Sequence, residues 1–154
     1  FIYIYIMSKE WGMYTWTLLH GIAEKCRQDT YQMYRHSIFK IIKTMISNLP
    51  CPECRYHAMQ YFKNLNHTMF STKESLVLFL FNFHNEVNKR INHPIYDQKD
   101  LVKYKDLNFL KAINAYEIIM TRNSHNRLLG DQLTRRMMMK NIKPILLNKD
   151  IFDY

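Results

Sequence analysis

At 154 residues the chain is long enough to bury a core as one domain, with room for a tail. Three glycines and four prolines among many Leu, Ile, Met, Lys and Asn exclude a β-sandwich or barrel and predict an all-α protein. A net charge of +9 permits contact with nucleic acid or an anionic surface, but Lys and Arg are spread along the chain, as on mixed solvated helix faces. Three cysteines are too few for a disulfide scaffold and fit a reducing compartment, so a cytoplasmic protein is expected. The longest apolar run, Leu76 to Phe81, falls far short of a membrane span, which needs ~20 residues. Phe1 to Ile6 lacks a basic start and a cleavage site, so no signal peptide is expected. Residues 1–7 read as a non-native or disordered leader, 8–121 as the functional domain and 122–154 as an extension of unknown role.

In chain order, a first helix is predicted from about Trp11 to Arg27, with Trp16, Leu19, Ala23 and Cys26 on its apolar stripe. Gly12 permits close approach to its backbone. Trp11, Trp16 and His20 read either as core packing with a satisfied histidine or as a platform for a flat heterocycle. A second helix spans roughly Tyr31 to Asn48 and carries no evident chemistry. Pro50 turns the chain into a third helix, packed through Ala58, Met59, Phe62 and Leu65. Ser71 to Glu74 reads as a capping box with Ser71 as N-cap, opening a fourth helix through about Ile91. His84 and Asn88, four residues apart, share one face of it, with Asn85 adjacent and Lys89 and Arg90 following. They either satisfy backbone at the helix end or hold a polar ligand with anionic phosphates. A fifth helix, capped by Asp100 or Asp106, runs to about Thr121 with Leu107, Leu110, Ile113 and Ile118 apolar. Beyond it a frayed or loosely docked basic extension is expected.

Cys51-Pro52-Glu53-Cys54-Arg55-Tyr56-His57 stands at the entrance of the third helix, with Pro52 suited to its first position. Thiols there lie near the positive end of the helix dipole, which favours the thiolate. From spacing alone the pair is a redox dithiol, half of a zinc site completed by His57 and His84, or two idle cysteines. A basic helical nucleic-acid binder is a further rival, although no recognition-helix signature or basic cluster is present.

Trp11-Gly12…Trp16…Leu19-His20, then Cys51-X-X-Cys54-X-X-His57, then His84-Asn85-Glu86-Val87-Asn88-Lys89-Arg90-Ile91-X-X-Pro94-X-Tyr96 occur in fixed order. Together they resemble the Erv/ALR family of FAD-linked sulfhydryl oxidases over about residues 8–115. The short form, rich in Lys, Asn and Ile, is similar to versions encoded by large cytoplasmic DNA viruses. The resemblance implies a four-helix bundle with a short fifth helix, a homodimer, FAD as cofactor and no metal. It further implies Cys51 and Cys54 as the catalytic pair, Cys54 being the flavin-proximal sulfur. Gly12, Trp16 and His20 would line the adenine and ribose side. His84, Asn85, Val87, Asn88, Lys89 and Arg90 would hold the cofactor from the fourth helix, the last two nearest the phosphates, with His57 and Tyr96 in its surroundings. The implied activity is disulfide formation in a thiol-containing protein, electrons passing to O2 to give H2O2, with a thioredoxin-like relay as the expected partner and no nucleic acid. The chain departs from the pattern in three respects. Gln98 stands where a second, structural cysteine pair would begin and no cysteine follows Cys54; no separate shuttle dithiol is expected in a tail or leader; and the usual Trp of the last helix region is absent, with Tyr104 the candidate substitute. Cys26, on a packed face, reads as an inert buried thiol.

Overall fold

The computed structural model describes residues 2–122 and 132–154, with side chains described from Glu10 onward in the first helix. Residue 1 and residues 123–131, parts of the expected leader and extension, lie outside the described residues, as do the side chains of 2–9. Six α-helices are described: α1 (Ile2–Lys25), α2 (Tyr31–Ser47), α3 (Pro52–Lys63), α4 (Lys73–Arg90), α5 (Phe109–Thr121) and α6 (Gln132–Leu146). Short 3₁₀ helices at His67–Phe70 and Gln98–Tyr104 join them. Among the described residues the β component is one isolated bridge, Cys26 to Phe152, so the fold is all-α.

Amphipathic stripes explain the packing. Leu18, Leu19, Ile22 and Ala23 of α1 meet Leu76, Phe79, Leu80 and Phe83 of α4, and α2 adds Ile38, Ile41, Ile42, Met45 and Ile46 to the same core. The caps differ from those expected. Ser71 still belongs to the preceding turn, its amide bonded to Thr68 O, so Thr72 is the first extended residue (φ −126°, ψ 163°). The reciprocal box is therefore Thr72 with Ser75 rather than Ser71 with Glu74. Asp97, boxed with Asp100, opens the 3₁₀ segment, and Asn108 caps α5. The buried stripe of α5 is Phe109, Ala112, Ile113, Tyr116 and Met120. Leu110 and Ile118 lie off that stripe and are 46% and 68% exposed, and Met59 of α3 is likewise exposed.

Gly21 lets α1 approach the start of α5: a Cβ there would stand 2.7 Å from Leu107 Cδ2 and 3.4 Å from Phe109 Cδ2. Alanine recovers about 1 kcal/mol of helix propensity against that crowding. Valine crowds further and is stiff at χ1, so Gly21→Val is expected to lose about 2 kcal/mol. A denaturant midpoint unchanged from wild type would contradict this.

The C-terminal part is docked, against the expectation of a loose extension. Arg135 Nε donates to Met120 O (2.9 Å) and Gln132 Nε2 to Thr121 O (2.9 Å), so α6 satisfies carbonyls that α5 leaves open at its end. Lys143 pairs with Glu117. The tail then runs beside the end of α1, with Asp153 N donating to Lys25 O and Arg27 N to Ile151 O, both 2.8 Å. Phe152 is 1% exposed and its main chain pairs with that of Cys26, whose thiol burial pushes up to about 12. Phe152→Ala should cost about 3–4 kcal/mol in an unfolding titration and make Cys26 accessible to maleimide.

Candidate active site

Cys51 is the N-cap of α3, with extended backbone (φ −86°, ψ 114°), and Pro52 occupies the first turn. Cys54 lies three residues on, and the two are joined by a disulfide with Cα atoms 5.2 Å apart. Cys51 Sγ accepts a hydrogen bond from Cys54 N at 3.1 Å, so the helix N-terminus is aimed at that sulfur. The cysteines differ in outlook. Cys54 packs against the core and lines a cavity of about 830 Å³, whereas Cys51 is not part of that wall.

The cavity runs between α1, α3, α4 and the 3₁₀ segment. Of the side chains expected around a ligand, Gly12, Trp16, His57, His84, Val87, Asn88, Lys89, Arg90 and Tyr96 stand on its wall, as does Tyr104. A Cβ on Gly12 would meet no heavy atom within 4 Å, so the glycine leaves space in the cavity instead of serving helix packing. Trp16 stacks on His84 with centroids 3.9 Å apart and 5° between planes. His57, half-exposed, sits one turn after Cys54, its Nε2 3.8 Å from Glu53 Oε1.

His20 and Asn85, also expected around the ligand, are not among the residues on this wall. His20 Nε2 lies 2.9 Å from His84 Nδ1, and its ring is 4.9 Å from that of Tyr104. Burial, then the neighbouring His84 and Lys103, push the His20 pKa down to about 3. Burial, then Lys103 and His93, lower that of His84 to about 4. Both rings are therefore neutral at pH 7, one offering its N–H and the other its lone pair. The Asn85 amide is taken up by main chain: Tyr96 N donates to Oδ1 (2.8 Å) and Nδ2 donates to Tyr96 O (3.1 Å). Asn88 also reaches back, Nδ2 to Pro94 O at 3.1 Å, while keeping a place on the wall.

Trp11, read from the sequence as part of a possible platform with Trp16 and His20, stands on the wall, as do Lys103 and Tyr61, which are not among the expected ligands. Lys103 Nζ stands 4.9 Å from the Tyr96 ring centroid and 5.1 Å from that of Tyr104. It falls on a 3₁₀ segment, where the helical period that marks other elements is absent from the sequence. The buried Trp11 Nε1–H finds no acceptor among the described residues.

The fold and this site define an all-α redox protein whose inner sulfur faces a ligand cavity. The Erv1/Alr family model matches residues 13–107, and the chain belongs to that family. An FAD-linked sulfhydryl oxidase of African swine fever virus (isolate Pig/Kenya/KEN-50/1950) is 30% identical over 103 residues, covering 67% of this chain and 86% of the viral protein. A protein of Invertebrate iridescent virus 3, 096R, named as a proposed FAD-linked sulfhydryl oxidase, is 36% identical over 90 residues. That match covers 58% of this chain and 61% of the relative's length. Among the described residues no helix is long and apolar enough to cross a membrane, and no three of His, Cys, Asp and Glu group as metal ligands.

Proposed function

We propose that this chain is an FAD-dependent thiol oxidase that forms disulfides in protein substrates through Cys51 and Cys54. The observation that carries the reading is the asymmetry of the pair: Cys54 lines the cavity and Cys51 does not. The cavity fits the cofactor in size and chemistry. About 830 Å³ is in the range of cofactor sites, Gly12 leaves room beside α1, and Trp11 offers an unused N–H. Gly12, Trp16, His84, Val87, Asn88 and Tyr96 would hold the flat and polar parts, with His20 supporting His84 from behind and His57 near the dithiol. Lys89, Arg90 and Lys103 would face the diphosphate. When bound, FAD supplies the electron acceptor that lets the reduced cysteine pair return to a disulfide, with O2 as the final acceptor and H2O2 as product.

The chain's own steps follow from disulfide exchange. A substrate thiolate attacks Cys51 Sγ, forming a mixed disulfide and breaking the bond to Cys54, which leaves as a thiolate inside the cavity. A second substrate thiol, after losing its proton, attacks the substrate sulfur of the mixed disulfide. Cys51 then leaves as a thiolate, and the Cys54 N–H now pointing at its sulfur stabilises that charge. The substrate has lost two electrons and two protons, and the cysteine pair holds the electrons. Cys26, buried and bonded to Ala23 O, is not placed to relay electrons; a substrate, or a partner such as a thioredoxin-like relay, would deliver them to Cys51.

Purified protein reconstituted with FAD tests this. A visible flavin spectrum that survives gel filtration and oxygen uptake on adding dithiothreitol are the expected results; a colourless protein inert toward dithiothreitol would overturn it.

A further inference from the structure

On a helix that carries cavity residues, Asn85 is 8% exposed, off the wall, and bonded through both ends of its amide to the main chain of one residue eleven positions away. Tyr96 is thereby held as in a two-bond ladder pair. Next to it, Asn88 Nδ2 donates to Pro94 O and Asn88 O accepts from His93 N (2.8 Å). The loop between them turns through Asn92 in the left-handed region (φ 56°), a conformation that asparagine tolerates better than most residues. What the clamp fixes is the Tyr96 ring, 5.1 Å from His84 and 6.0 Å from His20, with the Lys103 ammonium over its face.

We propose that Asn85 is a positioning residue rather than a cofactor ligand: it sets the Tyr96 loop, and through Tyr96 it places the Lys103 charge on the cavity wall. The inference rests on the FAD reading for its binding arm alone. An amide whose donor and acceptor already serve Tyr96 has little left to offer a ligand, whereas losing it frees two main-chain groups and the loop that carries them. Asn85→Asp separates the two bonds. It keeps the acceptor for Tyr96 N–H and replaces the donor to Tyr96 O with a repelling oxygen.

The test has two arms. Hydrogen exchange of the cofactor-free protein should show faster exchange confined to residues 92–98 in Asn85→Ala, with Tyr96 N–H still protected in Asn85→Asp. Equilibrium FAD binding is then measured for Asn85→Ala, Lys103→Met and the double variant. Each single change should weaken binding about 10-fold and the double no more than about 10-fold, because both remove the same placed charge. The salt dependence of FAD affinity should fall equally in all three. A double variant about 100-fold weaker, or Asn85→Ala with wild-type salt dependence, would show Asn85 acting on the cofactor itself and overturn the proposal. Unchanged exchange in residues 92–98 would do the same. If Asn85→Ala does not fold, Asn85→Asp takes its place in the binding cycle. Wild-type protein that takes up no FAD sinks the functional reading, while the exchange arm still decides the clamp.

Discussion

Cys54→Ser is expected to lower dithiothreitol oxidation by about 10³-fold or more while leaving FAD uptake intact, because the inner sulfur is removed without emptying the cavity. Given a disulfide-bonded protein, the same variant should accumulate a mixed disulfide at Cys51: its thiolate attacks one substrate sulfur, the other leaves as a thiolate, and no Cys54 remains to resolve the bond. Cys51→Ser should be equally inactive but a poor trap, since its remaining thiol packs against the core and faces the cavity. Oxygen uptake with dithiothreitol and non-reducing electrophoresis with a disulfide-bonded protein read the two effects separately. Wild-type turnover in Cys54→Ser would remove the basis of the assignment, and equal trapping by the two variants would contradict the division into outer and inner sulfurs.

The second large effect is on acid stability. His20 and His84 have folded pKa values near 3 and 4, against 6.5 for the free side chain. Above pH 6.5 both are neutral whether folded or unfolded, and they add no pH dependence. Below it the unfolded chain takes up protons that the folded site refuses, so stability falls as pH falls. Each histidine adds at most about 1.4 kcal/mol per pH unit. Because the two rings interact, a combined loss of about 3–5 kcal/mol between pH 6.5 and 4 is expected, a large part of a domain's stability. Lys103 and His93 face the pair and act in the same direction. Chemical denaturation at a series of pH values measures the slope. The His20→Gln, His84→Gln double variant should be distinctly flatter, and an unchanged slope would place the acid sensitivity elsewhere.

The helices that carry dense apolar stripes were legible in the sequence because one face of each is continuously buried. The run from Tyr31 to Ser47 and that from Leu76 to Val87 are of this kind. Legibility failed where local and tertiary demands produce the same residue types. An asparagine at a helix end serves a ligand or a neighbouring loop equally well from its spacing, and only the bonds of Asn85 to Tyr96 separate the two. The start of α4 slipped by one residue because Ser71 and Thr72 are both competent caps, and the preceding turn claims Ser71. Docking of α6 was obscured by Met137, Met138 and Met139. The last two are buried and Met137 is 54% exposed, so an unbroken apolar run hides which face turns inward. The dithiol itself was fully visible, while which sulfur faces the cavity depends on the pose of α3.

The burial of Cys26, whose main chain pairs with that of Phe152, has a chemical consequence. With its pKa near 12, only about one thiol in 10⁵ is ionised at neutral pH, and attack on a nearby disulfide requires that anion. The bystander sulfur is thus kept out of exchange with Cys51 and Cys54. On the proposed function, a catalyst that makes cross-links in other proteins would be protected from scrambling its own by this burial.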